Sequence, residues 1–126
     1  MILLVDDEAS IRTAVRRALE HAGYEVCATP DGAAATGVWR REGERVEALI
    51  TDVILGEQNG TALAAEFRRE RPDLPVVVIS GYLGAQVRQS GGLPPGAHFL
   101  EKPFTLDELV ETVRTALGER TELDPG

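Results

Sequence analysis

Acidic, hydroxyl and basic side chains follow four short apolar runs of the chain, at points where strands would end. They are Asp6 and Asp7, Asp52, Ser80 and Lys102. Carboxylates brought together repel one another unless a positive charge lies among them. A hard divalent cation such as Mg²⁺ prefers oxygen ligands and often completes its shell with phosphate oxygens. The set therefore predicts a phosphoryl-transfer site in which Asp52 is the nucleophile and forms an acyl phosphate.

Lys102 strengthens this interpretation because it is the only lysine in the chain, the other twelve basic residues being arginine. A compact ammonium suits a point contact to a phosphoryl oxygen. Ser80 and Gly81 add a hydroxyl and an accessible backbone amide, as anion sites do. Each of these residues taken alone is more simply interpreted as an ordinary turn or helix cap. The hypothesis of a phosphoryl-transfer site therefore rests on their combination. We expect His21 and His98 to be structural.

One sheet edge can bring these side chains together. Five apolar runs are typical of strands, four of them of strands covered on both faces: Ile2 to Val5, Tyr24 to Ala28, Ala48 to Ile50, Val76 to Ile79 and His98 to Leu100. The segments between them have helical spacing, which predicts a three-layer α/β domain with a parallel sheet. Ligands of such sheets bind at the carboxyl ends of the strands, where the polar positions fall.

Capping signals place the helices. Ser10 should cap the first helix and Gly23 should end it, while the second should begin near Asp31. A third is predicted from Gly60 to Arg69, and the last begins with the capping box of Thr105 and Glu108 and carries an apolar stripe of Leu106, Leu109, Val110, Val113 and Leu117. Glycines and prolines leave room only for a short helix, Ala85 to Ser90, before the last strand.

Length and charge limit the remaining possibilities. The 126 residues suit one domain, which we expect over residues 1–118, with 119–126 as a tail or linker stub. A net charge of −8 without a basic cluster argues against direct binding to nucleic acid or an anionic membrane. Cys27 is the only cysteine and fits a reducing compartment as a small strand residue. No apolar run approaches the ~20 residues of a membrane span, so we expect a cytoplasmic protein without membrane insertion.

The combined motif resembles the receiver domains of two-component response regulators. The match runs from Ile2 to about Leu117 and consists of Asp6-Asp7, Asp52, Ser80-Gly81 and Lys102-Pro103-Phe104. The resemblance implies a flavodoxin-like fold, a doubly wound five-stranded parallel sheet of order 2-1-3-4-5. It also implies that Asp52 accepts a phosphoryl group from the phosphohistidine of a sensor histidine kinase or histidine phosphotransfer domain. Lys102 would then pair with the phosphoryl group.

The resemblance further implies a metal and a switch. Mg²⁺, or Mn²⁺ as the alternative ion, would be held by the carboxylates of Asp6, Asp7 and Asp52 and the backbone carbonyl of Ile54. Ser80 and Phe99 would form the switch, in which the hydroxyl moves toward the phosphoryl group and the ring turns inward. Phe99 as plain core packing is the competing interpretation. A cis peptide bond is expected before Pro103.

One position departs from the family's usual residue, and two others occupy positions that affect hydrolysis of the acyl phosphate in the family. Gly56 stands where the family usually has proline, which predicts a more mobile loop from Val53 to Asn59. Ile54 and Tyr82 occupy positions that, in the family, tune the attack of water on the acyl phosphate. An apolar and a bulky residue there predict slow hydrolysis.

The sequence leaves several alternatives open. The leading one is a signalling module, a monomer or weak dimer, with no enzymatic activity beyond self-phosphorylation and self-dephosphorylation. A metal-dependent phosphatase with an aspartyl nucleophile is a second possibility, although Ile54 stands where such sites typically place another acid. A phosphorylation-independent interaction domain is the third. The segments around Ser80 and Lys102 also look similar to those in the C-terminal receiver of a hybrid sensor histidine kinase, so a stand-alone regulator and a hybrid-kinase fragment both remain open.

Overall fold

Alternating strands and helices make up the chain in the computed structural model, which describes residues 1–55, 58–81 and 94–118. The strands are β1 (Ile2–Val5), β2 (Val26–Thr29), β3 (Ala48–Asp52), β4 (Ile54–Leu55), β5 (Gln58–Asn59), β6 (Val76–Ser80) and β7 (His98–Glu101). The helices are α1 (Ala9–His21), α2 (Gly32–Glu42), α3 (Gly60–Glu70) and α4 (Leu106–Ala116), and a 3₁₀ turn spans Gly43–Arg45. In the described part of the chain, no helix is long and apolar enough to cross a bilayer.

Five strands form one parallel sheet in the order β2-β1-β3-β6-β7. Counted within this sheet alone, the order is 2-1-3-4-5, so the predicted doubly wound α/β fold is confirmed. The winding direction reverses between β1 and β3, which pair from Ile2 with Ala48 to Val5 with Thr51. The switch point therefore lies between the strands that carry Asp6 and Asp52.

Two apolar cores cover the two faces of the sheet, because alternate strand residues point to opposite sides. Leu3 and Val5 of β1 join the core under α2 and α3, whereas Ile2 and Leu4 join the core under α1 and α4. The central strands β1, β3 and β6 are buried along their whole length. The helices thus cover both faces, as the near-continuous apolar runs predict.

An aromatic contact joins α2 to α3 at the end of the domain remote from the polar strand ends. The rings of Trp39 and Phe67 stack with their centroids 4.6 Å apart, and the Arg71 guanidinium lies 5.1 Å from the Trp39 ring centroid. The Trp39 indole N–H donates to the Glu70 carboxylate at 2.5 Å. These contacts hold α2 and α3 against each other at the end of the domain remote from the site.

Most predicted caps are present, and one is wrong. Asp31 caps α2 by accepting from the Ala34 N–H, and Thr105 and Glu108 form the predicted capping box of α4. Ser10, however, is the second residue of α1, and its hydroxyl donates to the Glu8 carboxylate. Glu8 holds the N-cap position without a side-chain cap bond, because the helix begins two residues earlier than a cap at Ser10 would require.

The ends of several elements differ from the predictions. β2 begins at Val26 rather than Tyr24, and β3 and β6 extend to include Asp52 and Ser80 as their last residues. Leu106 is 49% exposed, so the buried stripe of α4 rests on Leu109 and Val113. The β4–β5 hairpin was not predicted, since a strand of two residues has no detectable periodicity. The predicted helix Ala85 to Ser90 and the predicted tail 119–126 lie outside the described residues.

Candidate functional site

Asp52 and Lys102 meet at the carboxyl edge of the sheet. Asp52 ends β3, and Lys102 directly follows β7. The Lys102 ammonium lies 2.7 Å from Asp52 Oδ2, and the other carboxylate oxygen, Oδ1, accepts from the Ile54 backbone N–H at 3.0 Å. Both oxygens of the Asp52 carboxylate are therefore held, one by the chain that follows it and one by a distant strand end.

Asp6 lies beside this pair and is almost completely buried, with an exposed fraction of 1%. Its Oδ1 accepts from the Glu8 backbone N–H at 2.9 Å, whereas its Oδ2 has no hydrogen-bond partner among the described residues. Burial raises the pKa of Asp6 above its ordinary value of 3.8; the Glu8 N–H lowers it, the charge of Asp52 raises it, and Lys102 lowers it. The site thus holds a carboxyl group that is costly to ionise without an added positive charge.

Lys102 is held from both its backbone and its side chain. Its backbone N–H donates to the Ser80 carbonyl at 2.8 Å, which fixes the end of β7 against β6. Burial tends to lower the pKa of the Lys102 ammonium, but the hydrogen bond and charge of Asp52, together with the charges of Asp6 and Glu8, raise it above 10.5. The surrounding carboxylates therefore keep the lysine in its charged form at neutral pH.

The other predicted residues surround this centre to different degrees. Ser80 is fully buried at the end of β6, and Phe99 is half-buried on β7, where it pairs with Val78. Asp7 is exposed but close enough for its charge to raise the pKa of Asp6.

The remaining predicted positions lie in the backbone around the site. Gly81 is half-buried, and the Lys102–Pro103 peptide bond is cis. Ile54 is 46% exposed. Gly56 and Tyr82 lie outside the described residues.

The oxygen atoms of the site can be compared with the ligands that a hard divalent cation prefers. Asp6 Oδ2 is a buried anionic oxygen without a hydrogen-bond partner in the described part of the chain. Within residues 1–55, 58–81 and 94–118, no three carboxylate, imidazole or thiol groups are already arranged around one point. Lys102 binds Asp52 Oδ2, one of the oxygens that the cation could use. The oxygen-only chemistry of Asp6, Asp7 and Asp52 nevertheless fits Mg²⁺ or Mn²⁺.

Three residues of the site were missed from the sequence. The Arg12 guanidinium, in the first turn of α1, donates to the Asp6 backbone carbonyl at 2.8 Å. A Cβ on Gly60 would lie 1.8 Å from the Asp52 carbonyl oxygen, so glycine lets α3 begin directly behind the acid. The Gln58 carboxamide oxygen accepts from the Gly32 N–H at 3.0 Å. A glycine at the first position of a helix was a usable signal for Gly60, whereas the other two contacts depend on the tertiary fold.

An apolar groove of ≈ 410 Å³ opens beside Lys102. It lies between α1 and the segment that connects β7 to α4. Its lining consists of Ile11, Ala14, Val15, Lys102, Pro103, Phe104 and Leu106. The charged site is therefore bordered by a surface that could contact an apolar partner.

Comparison with known proteins defines the family. The family model for the response regulator receiver domain matches residues 2–114, so the chain belongs to the receiver-domain family. Receiver domains are signalling domains of two-component systems rather than enzymes of the usual kind, and they generally bind Mg²⁺ at their acidic pocket.

Relatives from two kinds of signalling protein match most of the chain. The DNA-binding transcriptional regulator NtrC of Bradyrhizobium is 40% identical over 125 residues, which is 96% of this chain and 25% of that protein. The sensor kinase CckA of Brucella abortus is 36% identical over 121 residues, which is 94% of this chain and 13% of that protein. The chain thus spans a quarter or less of the length of these two relatives.

The solved structures agree in fold. A crystal structure of a response regulator receiver protein from Sinorhizobium medicae superposes with a TM-score of 0.82 at 32% identity and covers 95% of both chains. The family match over residues 2–114 includes all the sheet strands that carry the candidate site. The similarity therefore extends to the framework on which Asp6, Asp52 and Lys102 are mounted.

Proposed function

We propose that this chain is a phosphoacceptor module that receives a phosphoryl group on Asp52 from a phosphohistidine. The observation that carries the proposal is the Asp52 carboxylate, 2.7 Å from the lone lysine and adjacent to a buried acid with an unpartnered oxygen. A purely structural ion pair would not need a second buried carboxylate next to it, because that carboxylate makes the site harder to fold.

The transfer step uses the two oxygens of Asp52 differently. The Ile54 N–H holds Oδ1, which leaves the Oδ2 side, next to Lys102, to attack phosphorus. A new P–O bond forms as the P–N bond of phosphohistidine breaks, and the electron pair of that bond remains on the imidazole nitrogen. Lys102 then donates to a phosphoryl oxygen instead of to the carboxylate. It thereby stabilises charge that builds up in the transition state.

Asp6, Asp7, Asp52 and the Ile54 carbonyl are the groups that would hold Mg²⁺ or Mn²⁺. A bound divalent cation supplies positive charge between the carboxylates and the incoming phosphoryl oxygens. Arg12, through its bond to the Asp6 carbonyl, fixes the backbone of the first acid. Glu8 fixes the orientation of the Asp6 side chain through its N–H, so that Oδ2 remains the unpaired oxygen.

The conformational signal would pass through Ser80 and Phe99. Ser80 ends β6 beside Lys102, and Phe99 lies on β7, two strands from Asp52 in the sheet. Movement of the Ser80 hydroxyl toward the phosphoryl group would let the half-buried ring turn inward and change the surface of β7 and α4. Pro103 and Gly81 shape the backbone on either side of this pair.

The donor is proposed to be a sensor histidine kinase or a histidine phosphotransfer domain. The apolar groove formed by α1 and the segment after β7 lies beside Lys102, where a partner helix carrying the phosphohistidine could pack. The excess of acidic residues fits a protein partner rather than nucleic acid. We place this exchange in the cytoplasm and assign residues 1–118 to the receiver domain, within either a stand-alone regulator or a hybrid kinase.

Turnover of an external phosphate ester is disfavoured as the main activity. Ile54, two residues after Asp52, presents an apolar side chain that is 46% exposed and cannot protonate a leaving group. The activities we propose are self-phosphorylation from small donors and slow self-dephosphorylation. Both use the Asp52 carboxylate together with Lys102 and the groups that would hold the metal.

The test is incubation of the chain with a small phosphodonor with and without Mg²⁺, followed by intact-mass measurement. We expect a gain of about 80 Da, the mass of one phosphoryl group, only when the metal is present. Asp52→Asn should remain unlabelled because it removes the nucleophile. Asp73→Asn is the matched control, since Asp73 is an exposed acid before β6, at the other edge of the sheet.

Two outcomes would contradict the proposal. Labelling of Asp52→Asn at the wild-type rate would show another acceptor, and a wild-type chain that no donor labels would favour a phosphorylation-independent interaction domain. Loss of labelling in Asp73→Asn as well would indicate a general effect of the substitution rather than a role of Asp52.

A further inference from the structure

The segment that follows Asp52 is held against α2 by a side chain with no assigned role. Gln58, on β5, lies opposite Leu55 of β4, and its neighbour Asn59 lies opposite Ile54. The Gln58 carboxamide oxygen accepts from the Gly32 N–H, the first backbone amide of α2, at 3.0 Å. The β4–β5 hairpin is therefore connected directly to the beginning of another helix.

The two partners fit each other closely. A Cβ added to Gly32 would lie 2.3 Å from the Gln58 carboxamide oxygen and 3.0 Å from its carboxamide carbon, so a larger residue at position 32 would displace the side chain. Asp31 already caps α2 by accepting from the Ala34 N–H. Gln58 therefore satisfies a second free amide of the first turn, which Asp31 leaves open.

The hairpin leads back to the phosphoacceptor. Ile54 pairs with Asn59 in the hairpin, and the Ile54 N–H donates to Asp52 Oδ1 at 3.0 Å. Asn59 caps α3 by accepting from the Thr61 N–H. A continuous set of contacts thus runs from α2 through Gln58 and the hairpin to the carboxylate of Asp52.

We propose that Gln58 is a positioning residue for Asp52. By attaching the hairpin to Gly32, it holds Ile54 where the Ile54 N–H binds Asp52 Oδ1 and keeps Oδ2 directed toward Lys102. The consequence for phosphoryl transfer rests on the proposed function, whereas the effect on Ile54 does not. Without Gln58 the hairpin loses this hydrogen bond to α2, so the Ile54 N–H separates from the carboxylate more often.

Amide hydrogen exchange of the metal-free protein tests the positioning directly. Gln58→Ala should accelerate exchange at both Gly32 and Ile54, by about fivefold for a typical hydrogen bond. Gln58→Glu should restore slow exchange, because it keeps an acceptor oxygen and places a negative charge at a helix N-terminus. The urea midpoint of each variant, measured in parallel, separates a local change at Ile54 from a global loss of stability.

A double-mutant cycle tests the contact itself. Gly32→Ala should accelerate exchange at Ile54 as Gln58→Ala does, yet have no further effect in a Gln58→Ala background, where there is no carboxamide to displace. Gly37→Ala is the matched control in the same helix, because its Cβ would meet only the mobile end of Arg41, at 3.3 Å. It should leave exchange at Ile54 unchanged.

The rate of labelling by a small phosphodonor provides the functional measurement. Gln58→Ala and Gly32→Ala should both label about fivefold more slowly than the wild type, and Gln58→Glu should recover the wild-type rate. Faster exchange at Gly32 with unchanged exchange at Ile54 would overturn the proposal and reduce Gln58 to a helix cap. If no variant, including the wild type, is labelled while the exchange results hold, the proposed function fails and the positioning role stands.

Discussion

Asp6 combines deep burial with an oxygen that has no hydrogen-bond partner in the described residues, which makes its charge state the most informative property of the site. Burial raises its pKa above 3.8, and the charge of Asp52 raises it further, against the lowering effects of the Glu8 N–H and Lys102. The folded state therefore binds the Asp6 proton more tightly than the unfolded chain. The contribution of Asp6 to stability therefore falls as the pH rises from 3.8 through the raised pKa, and it stays reduced at higher pH.

Removing the Asp6 charge should consequently stabilise the metal-free protein. Asp6→Asn should unfold at a higher temperature than the wild type at pH 7 in the presence of a chelator, and this advantage should shrink as the pH falls toward 3.8. Mg²⁺ should raise the unfolding temperature of the wild type more than that of Asp6→Asn. A variant less stable than the wild type at pH 7 would show that the carboxylate is already neutralised within the protein.

At the scale of elements, the start of α3 determines how closely a helix can approach Asp52, the proposed phosphoacceptor. The Gly60 N–H donates to the Val53 carbonyl at 2.8 Å, and the Gly60 Cα packs against the end of β3. A Cβ there would lie 1.8 Å from the Asp52 carbonyl oxygen and 2.5 Å from Thr51 Oγ1. The carbonyl oxygen is a backbone atom, so it cannot move without disturbing the end of the strand that carries Asp52.

Gly60→Ala should therefore destabilise the protein by about 2 kcal/mol or more, the cost of overpacking a closed site. Gly37→Ala, in the middle of α2, should instead be neutral or stabilising by up to about 1 kcal/mol, because alanine favours a helix interior over glycine. Urea unfolding of the two variants compares these effects. Equal stabilities would show that α3 can shift away from β3 at little cost.

Strong local patterns were sufficient to predict the main elements. The five apolar runs predicted the five sheet strands, and Asp31 and Thr105 marked two helix starts because their side chains cap the following turn. Ser10 was misleading, since a serine one residue inside a helix has the same local pattern as a cap. The β4–β5 hairpin and the Gln58–Gly32 contact were not predictable, because each depends on a neighbouring element rather than on sequence spacing.

At the scale of the whole molecule, the fold brings the side chains of the site together at one edge of the sheet. The parallel sheet brings Asp6, Asp52, Ser80 and Lys102 from four different strand ends to one edge. The two cores, one on each face of the sheet, make that edge rigid. The convergence of the acids and the lysine was predictable because strand ends of a parallel sheet share an edge, whereas the direct Lys102 bond to Asp52 Oδ2 required side-chain positions.

The identity of the modified residue tests the central claim most directly. The chain is labelled with a small phosphodonor in the presence of Mg²⁺, reduced with borohydride, which converts an aspartyl phosphate to homoserine with release of phosphate, and mapped by peptide mass spectrometry. Conversion of Asp52 alone is the predicted result. Conversion of Asp6 or Asp7, or a stable phosphate ester on Ser80, would contradict the assignment of Asp52 as the phosphoacceptor.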